Sequence, residues 1–250
     1  MRLSLLLTAL LLAVSCTSTT EQTTVTFGAN GNDSGAQPRS GKQLDERFAG
    51  SFADGRVIKT PEHQGVLNVR SAGTLKIASG LLVASDPFIA PQTAPFAQTI
   101  PRGEYPVVLS LLKTSNDERV AFAKLQVGTN PSVSWKIAEL KEDLSGEHSF
   151  YHVDTGTGSF MDSRTAMVVD EKLGAEIEQG HSSFSDEVIR AMEENRRAGK
   201  GEWANIFIPE ADANLIIFGS GWGDGTYRTY LGLDADGNVA EFVTDFEIVP

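Results

Sequence analysis

Cysteine is nearly absent from this chain of 250 residues: Cys16 is the only one, which excludes an intrachain disulfide and a thiolate metal cluster. Stability must then come from packing, and 40% hydrophobic residues at this length supply one good-sized core. Positive charge is also scarce, with 21 Lys and Arg against 33 Asp and Glu. A net charge of −12 repels phosphate backbones, so no nucleic-acid partner is expected. Long apolar runs are missing after residue 15, where nothing approaches the roughly 20 residues needed to cross a bilayer. The four histidines show no HxH or HExxH spacing, and no serine sits in GxSxG.

What the amino terminus does have is an export signal. Met1 and Arg2 give a short positive start, and Leu3 to Val14 is an apolar run of signal-peptide length. Ala13-Val14-Ser15-Cys16 resembles the bacterial lipobox, in which small residues precede a cysteine that receives diacylglycerol, although Ala13 stands where that motif prefers Leu. We expect residues 1–15 to be a signal peptide and Cys16 to be lipidated, anchoring the protein to the membrane of the cell envelope. Thr17 rather than Asp follows the cysteine, which favours the outer membrane if the source has two membranes. The rival reading is ordinary cleavage after Ser15 and a soluble secreted product. From Thr17 to about Asp45 the chain is rich in Thr, Ser, Gly, Asn and Gln, and residues 16–45 are expected to form a flexible tether before one domain over 46–250.

Beyond Asp45 short extended runs alternate with turn chemistry, at residues 65–69, 74–78, 81–84, 105–112, 119–127 and 132–137. Neither face of the 119–127 run is wholly polar, which predicts a central strand. Ala166, Val169, Leu173 and Ile177 then fall at helical spacing behind Asp162 or Ser163 as cap, and a second helix is predicted over 185–198. Strands return at 204–208, 215–218, 226–233 and 239–249, the last two flanking an Asp-Gly hairpin turn at Asp236 and Gly237. The expected fold is α+β, a mainly antiparallel sheet or sandwich with a helical pair inserted between its two strand blocks.

The densest candidate segment is Ser220 to Tyr227, with three glycines in five residues around Trp222 and Asp224. Either Trp222 and Tyr227 form a stacking platform beside the Asp224 carboxylate, or Gly221 to Gly225 is a strand connection needing positive φ. A second candidate is Val153 to Asp162, read as a Gly and Thr loop between strand and helix, with Asp154 at its start and Asp162 as helix cap. Asp86, before Pro87, is a third, and its plain reading is turn chemistry. Brought together, Asp86, Asp154, Asp162 and Asp224 would suit a Ca²⁺ site or the carboxylate pair of a hydrolase, but no other cofactor is indicated.

In order along the chain, GLLVASDP, PRGEYPV, RVAFAKL, Trp135 with Ala138, VDTGTGSFMD, SGWGDGTYRTYLGLDADG and VTDFEI resemble the bacterial family named domain of unknown function 4241, over roughly residues 65–249. The resemblance implies no activity and no catalytic residue. Two function classes follow from the residues: an envelope-anchored module that binds a protein, in the manner of an immunity protein, or a glycan, and alternatively a carboxylate-based or Ca²⁺-dependent hydrolase.

Overall fold

The computed structural model describes residues 39–59, 64–89, 94–141 and 150–249, all within one compact unit. The signal segment, Cys16 and the tether as far as residue 38 lie outside the described residues. Helix α1 (Gly41–Phe48) opens the described chain and overturns the last part of the tether reading, because the domain is already folded at Ser40 rather than at 46. A capping box starts the helix: the Ser40 N–H donates to Gln43 Oε1 (2.8 Å), and the Gln43 N–H donates to Ser40 Oγ (3.4 Å). Leu44 and Phe48, four residues apart, are its buried stripe. In a polar stretch, two apolar residues suffice when a sheet receives them.

Twelve strands follow, interrupted by two helices: β1 (Val57–Lys59), β2 (Gln64–Ile77), β3 (Leu82–Ser85), β4 (Gly103–Lys113), β5 (Glu118–Gln126), β6 (Ser134–Ile137), β7 (Phe150–Val153), β8 (Thr157–Asp162), α2 (Ser163–Gln179), α3 (Ser183–Arg197), β9 (Trp203–Ile208), β10 (Ala213–Gly219), β11 (Gly225–Leu233) and β12 (Val239–Asp245). They form two antiparallel sheets. The large one runs β1-β2-β4-β5-β12-β11, and its far edge is shared, β6 pairing with residues 230–233 of β11 and β7 with residues 225–228. The small one runs β3-β8-β10-β9. The α+β expectation holds, β5 is central, and the helical pair falls between the two strand blocks.

Several local expectations change. The runs at 65–69 and 74–78 are one strand, β2, whose register shifts between Ser71 and Gly73, so that Ala72 is an added residue. The segment Val153 to Asp162 is not a loop: its second half is β8, inside the small sheet. Its Thr, Gly and Ser composition suggests a turn locally, but pairing on both sides outweighs that propensity. Ile177 leaves the helix stripe and is 83% exposed, while Thr165, Val169 and Leu173 are the buried residues of α2. The strand expected over 239–249 stops at Asp245, two residues before Glu247 turns to φ +55°.

The layers follow from alternation along each strand. Phe160 and Phe218 of the small sheet meet edge to face at 5.3 Å and share the main core with Leu125, Leu231 and Phe242 of the large one. The neighbouring Met161, Leu215 and Ile217 point the other way and join Val169 of α2 and Val188 of α3 in a second core. On its opposite face the large sheet carries α1, where Phe48 packs against Phe122, Trp135 and Tyr230. No helix of the described residues is long and apolar enough to cross a membrane.

Candidate functional site

Two of the places where the chain passes between the two sheets lie side by side. Residues 154–156 lead from β7 to β8, and residues 220–224 lead from β10 to β11. β7 pairs with β11 and β8 with β10, the registers Val153 to Gly225 and Thr157 to Gly219 bracketing the two connections, so they must run together. Their contacts are direct: the Ser220 N–H donates to the Gly156 carbonyl (3.0 Å), and the Gly156 N–H donates to Asp224 Oδ1 (3.0 Å).

The third candidate joins them from β3. Because Ser85 pairs with Ser159, the next residue, Asp86, reaches the start of β8. Fully buried, its carboxylate accepts from the N–H groups of Asp154 (3.0 Å), Thr155 (2.9 Å) and Phe88 (3.0 Å) and from the Thr155 hydroxyl (2.9 Å). Asp86, Asp154 and Asp224 are therefore gathered at one crossing point. Asp162 is not: it sits at the far end of β8, where it caps α2 through the Arg164 N–H (2.9 Å) and accepts from the Ser79 N–H and hydroxyl (both 2.7 Å).

The Gly-rich segment is a closed turn. The Gly223 N–H donates to the Ser220 carbonyl (2.9 Å), and Gly221 and Gly223 hold φ of +60° and +112°. Gly225 belongs to β11 and has no positive φ, which corrects the extent of the expected connection. The Tyr227 hydroxyl reaches the carbonyls of Ser220 (3.0 Å) and Gly223 (2.8 Å), and burial, with the nearby Asp224 charge, pushes it up to about 12. At neutral pH it remains a donor that ties the turn down. Tyr227 is 7% exposed and shares no open platform with Trp222, which is 47% exposed. The Arg119 guanidinium lies 5.8 Å from the centre of that indole ring.

Arg119 marks one wall of a concavity beside the crossing. A groove of about 930 Å³ runs between the connection of β4 to β5 and helix α3, with Thr155 and Thr157 among its lining. Phe88, Ile189 and Met192 provide apolar surface, and charged side chains of both signs surround it. Asp117 pairs with Arg119 at 2.7 Å, whereas Arg70, Lys113 and Arg196 have no carboxylate partner among the described residues. None of these cations carries a local signal in the sequence, since α3, β2 and the β4 to β5 turn meet only in the folded chain. Among the described residues no group of three or more His, Cys, Asp or Glu could hold a metal ion.

The segments around this crossing have a counterpart: the model of a protein family described as "Protein of unknown function (DUF4241)" matches residues 75–244. This chain belongs to that family. The DUF4241 region takes in the two adjacent connections, 154–156 and 220–224, and most of the groove, and it leaves out α1, β1 and the acidic pair Asp245 and Glu247. No curated protein and no solved structure matches the chain.

Proposed function

We propose that this DUF4241 protein is an exported binding module, held at the cell envelope by lipid on Cys16, that takes a protein ligand in the groove between the β4 to β5 connection and α3. The observation that carries the reading is the groove itself: about 930 Å³, bordered by apolar side chains and by three cations without ion-pair partners among the described residues, beside a half-exposed indole. Trp and Arg are the side chains that most often anchor protein interfaces. The net charge of −12 draws a basic partner from a distance, as an immunity-type role against a basic toxin would need, and makes association salt-sensitive, while the cations of the groove would receive acidic groups on the part of the partner that enters it. The export and anchoring part rests on the sequence around Cys16.

The hydrolase alternative has less support. Asp86 and Asp162 are fully buried, and their oxygens are taken up by backbone N–H groups and by the hydroxyls of Thr155 and Ser79. A carboxylate so engaged is fixed as an acceptor, while a general acid or base must reach the substrate.

The test places a photo-crosslinking residue at Asn116 in the groove and, as a control, at Asp236 in the β11 to β12 hairpin of the full chain in cells. A discrete adduct from position 116 that is absent from 236 and fades with Trp222→Ala supports the reading. Equal adducts from both positions, or none from 116, overturn it.

A further inference from the structure

We propose that a second site, a cleft on the α1 face of the large sheet, binds a neutral saccharide. The cleft has a volume of about 770 Å³, within the range of small-molecule sites, and is walled by α1, by residues 128–133 and by strands β5, β6 and β12. It is separate from the groove beside α3 and does not depend on the function proposed for that groove.

Its flat apolar wall is Trp135, whose indole is held from two sides. Below it lies Gly232, where a Cβ would come within 3.0 Å of the ring and 2.2 Å of Ser132 Oγ. Beside it is Phe48 of α1, with ring centroids 4.4 Å apart. A ring fixed in this way adds apolar surface to the cleft lining without the entropy of ordering it, which suits the C–H groups of a pyranose.

The floor supplies hydrogen-bonding groups of both kinds. Lys124 Nζ stands 3.2 Å from Glu241 Oε2, both side chains mostly buried, and Ser132 donates to Glu241 Oε1 at 2.7 Å. Lys124 also lies 4.4 Å from the centre of the Phe52 ring. An ammonium has three donors and a carboxylate about four acceptor positions, so these contacts leave capacity on both groups. Adjacent hydroxyls on a sugar ring donate and accept side by side, and a Lys-Glu pair set beside an aromatic wall meets both demands. The charged lining residues are Asp45, Lys124 and Glu241, an excess of negative charge that disfavours an anionic ligand.

Titrating the full chain with maltotriose, cellotriose and tri-N-acetylchitotriose, while following the indole N–H resonances by NMR, tests the site. The Trp135 resonance, assigned with Trp135→Phe, should shift saturably with at least one of them while that of Trp222 stays in place. Glu241→Gln, checked for an unchanged melting profile, should weaken binding about tenfold or more, the loss of a charge-assisted hydrogen bond. No saturable Trp135 shift with any of the three overturns the proposal, as does a shift confined to Trp222. If Glu241→Gln fails to fold, Lys124→Met takes its place, and unchanged affinity in the folded variant also overturns it. Groove crosslinking from Asn116 is indifferent to all of these outcomes.

Discussion

Arg47 and Asp245, almost 200 positions apart, form a buried pair: Arg47 Nη2 donates to Asp245 Oδ1 at 2.7 Å, Nε donates to Oδ2, and the two side chains are 5% and 0% exposed. Nη1 reaches on to the Val249 carbonyl (2.5 Å). One guanidinium thus fastens α1 to the end of β12. Arg39 repeats the arrangement beside it with a two-pronged contact to Glu247 (2.9 and 2.7 Å). Burial pushes the Asp245 carboxyl up against the pull of Arg47, so the pair depends on both partners.

Removing one partner should therefore cost more than the pair is worth. Arg47→Met leaves Asp245 buried without its guanidinium and should lower unfolding free energy by about 3–5 kcal/mol. Urea denaturation decides this, and a loss under about 1 kcal/mol, the scale of a surface ion pair, would show that the contact is not a buried clasp.

The outer pair makes a pH prediction. Burial works to raise the Glu247 carboxyl, but Arg39, with Arg47 behind it, outweighs burial and holds the group below its ordinary 4.5. A lowered folded value means that the unfolded chain binds the proton first, so the contribution is present above 4.5 and is lost as pH falls through the folded value. Wild type should lose stability more steeply below 4.5 than Glu247→Gln, with parallel curves near neutrality. Asp245, shifted the other way, is retained in both proteins. Parallel acid limbs in the two melting series would contradict the assignment.

The three glycines of the 220–225 segment should respond differently to alanine. At Gly221 a Cβ would lie 2.8 Å from the Phe246 Cβ and 3.0 Å from its carbonyl oxygen, at φ +60°, whereas Gly223 has open space and only its φ of +112° to strain. Gly221→Ala should be the most damaging and Gly223→Ala should cost about 1 kcal/mol or more, from backbone strain alone. Gly225→Ala has no such strain, and its added Cβ meets only the Tyr227 ring, at 3.3 Å. Melting temperatures in that order support the turn geometry; Gly225→Ala as the worst of the three would refute it.

At the crossing, Asp86→Asn and Asp224→Asn separate architecture from recognition. An amide at position 86 turns an NH₂ toward the N–H groups that now donate to the carboxylate, and should cost about 1.5–3 kcal/mol, the range for a hydrogen bond to a charged group. Asp224→Asn keeps an oxygen for the Gly156 N–H and should fold normally. If it also leaves crosslinking from Asn116 unchanged, Asp224 serves the turn and not the groove.

Much of the scaffold could be read along the chain because local physics wrote it there. Strand runs bounded by turn residues, the Asp162 cap with Val169 and Leu173 behind it, and the hairpin at Asp234 to Asn238 all act within a few residues of themselves. β8 could not be read in this way, since its small polar residues become a strand only between β3 and β10. Helix α1 was hidden for a similar reason: Leu44 and Phe48 are too sparse a stripe until Phe122, Trp135 and Tyr230 receive them.

The sequence by itself determined the acidic balance, the α+β class and the family, because each depends on composition, local periodicity or ordered motifs. It also picked out Asp86, Asp154 and Asp224 singly. Only the tertiary structure decided that these three meet while Asp162 stands apart: the two sheet crossings are neighbours because β7 pairs with β11 and β8 with β10. The pairing of β5 with β12, and of β12 with β11, set Arg119 beside Trp222 and Lys124 beside Glu241. Such partners lie about a hundred residues apart, and strand pairing, which no local pattern encodes, brings them within reach.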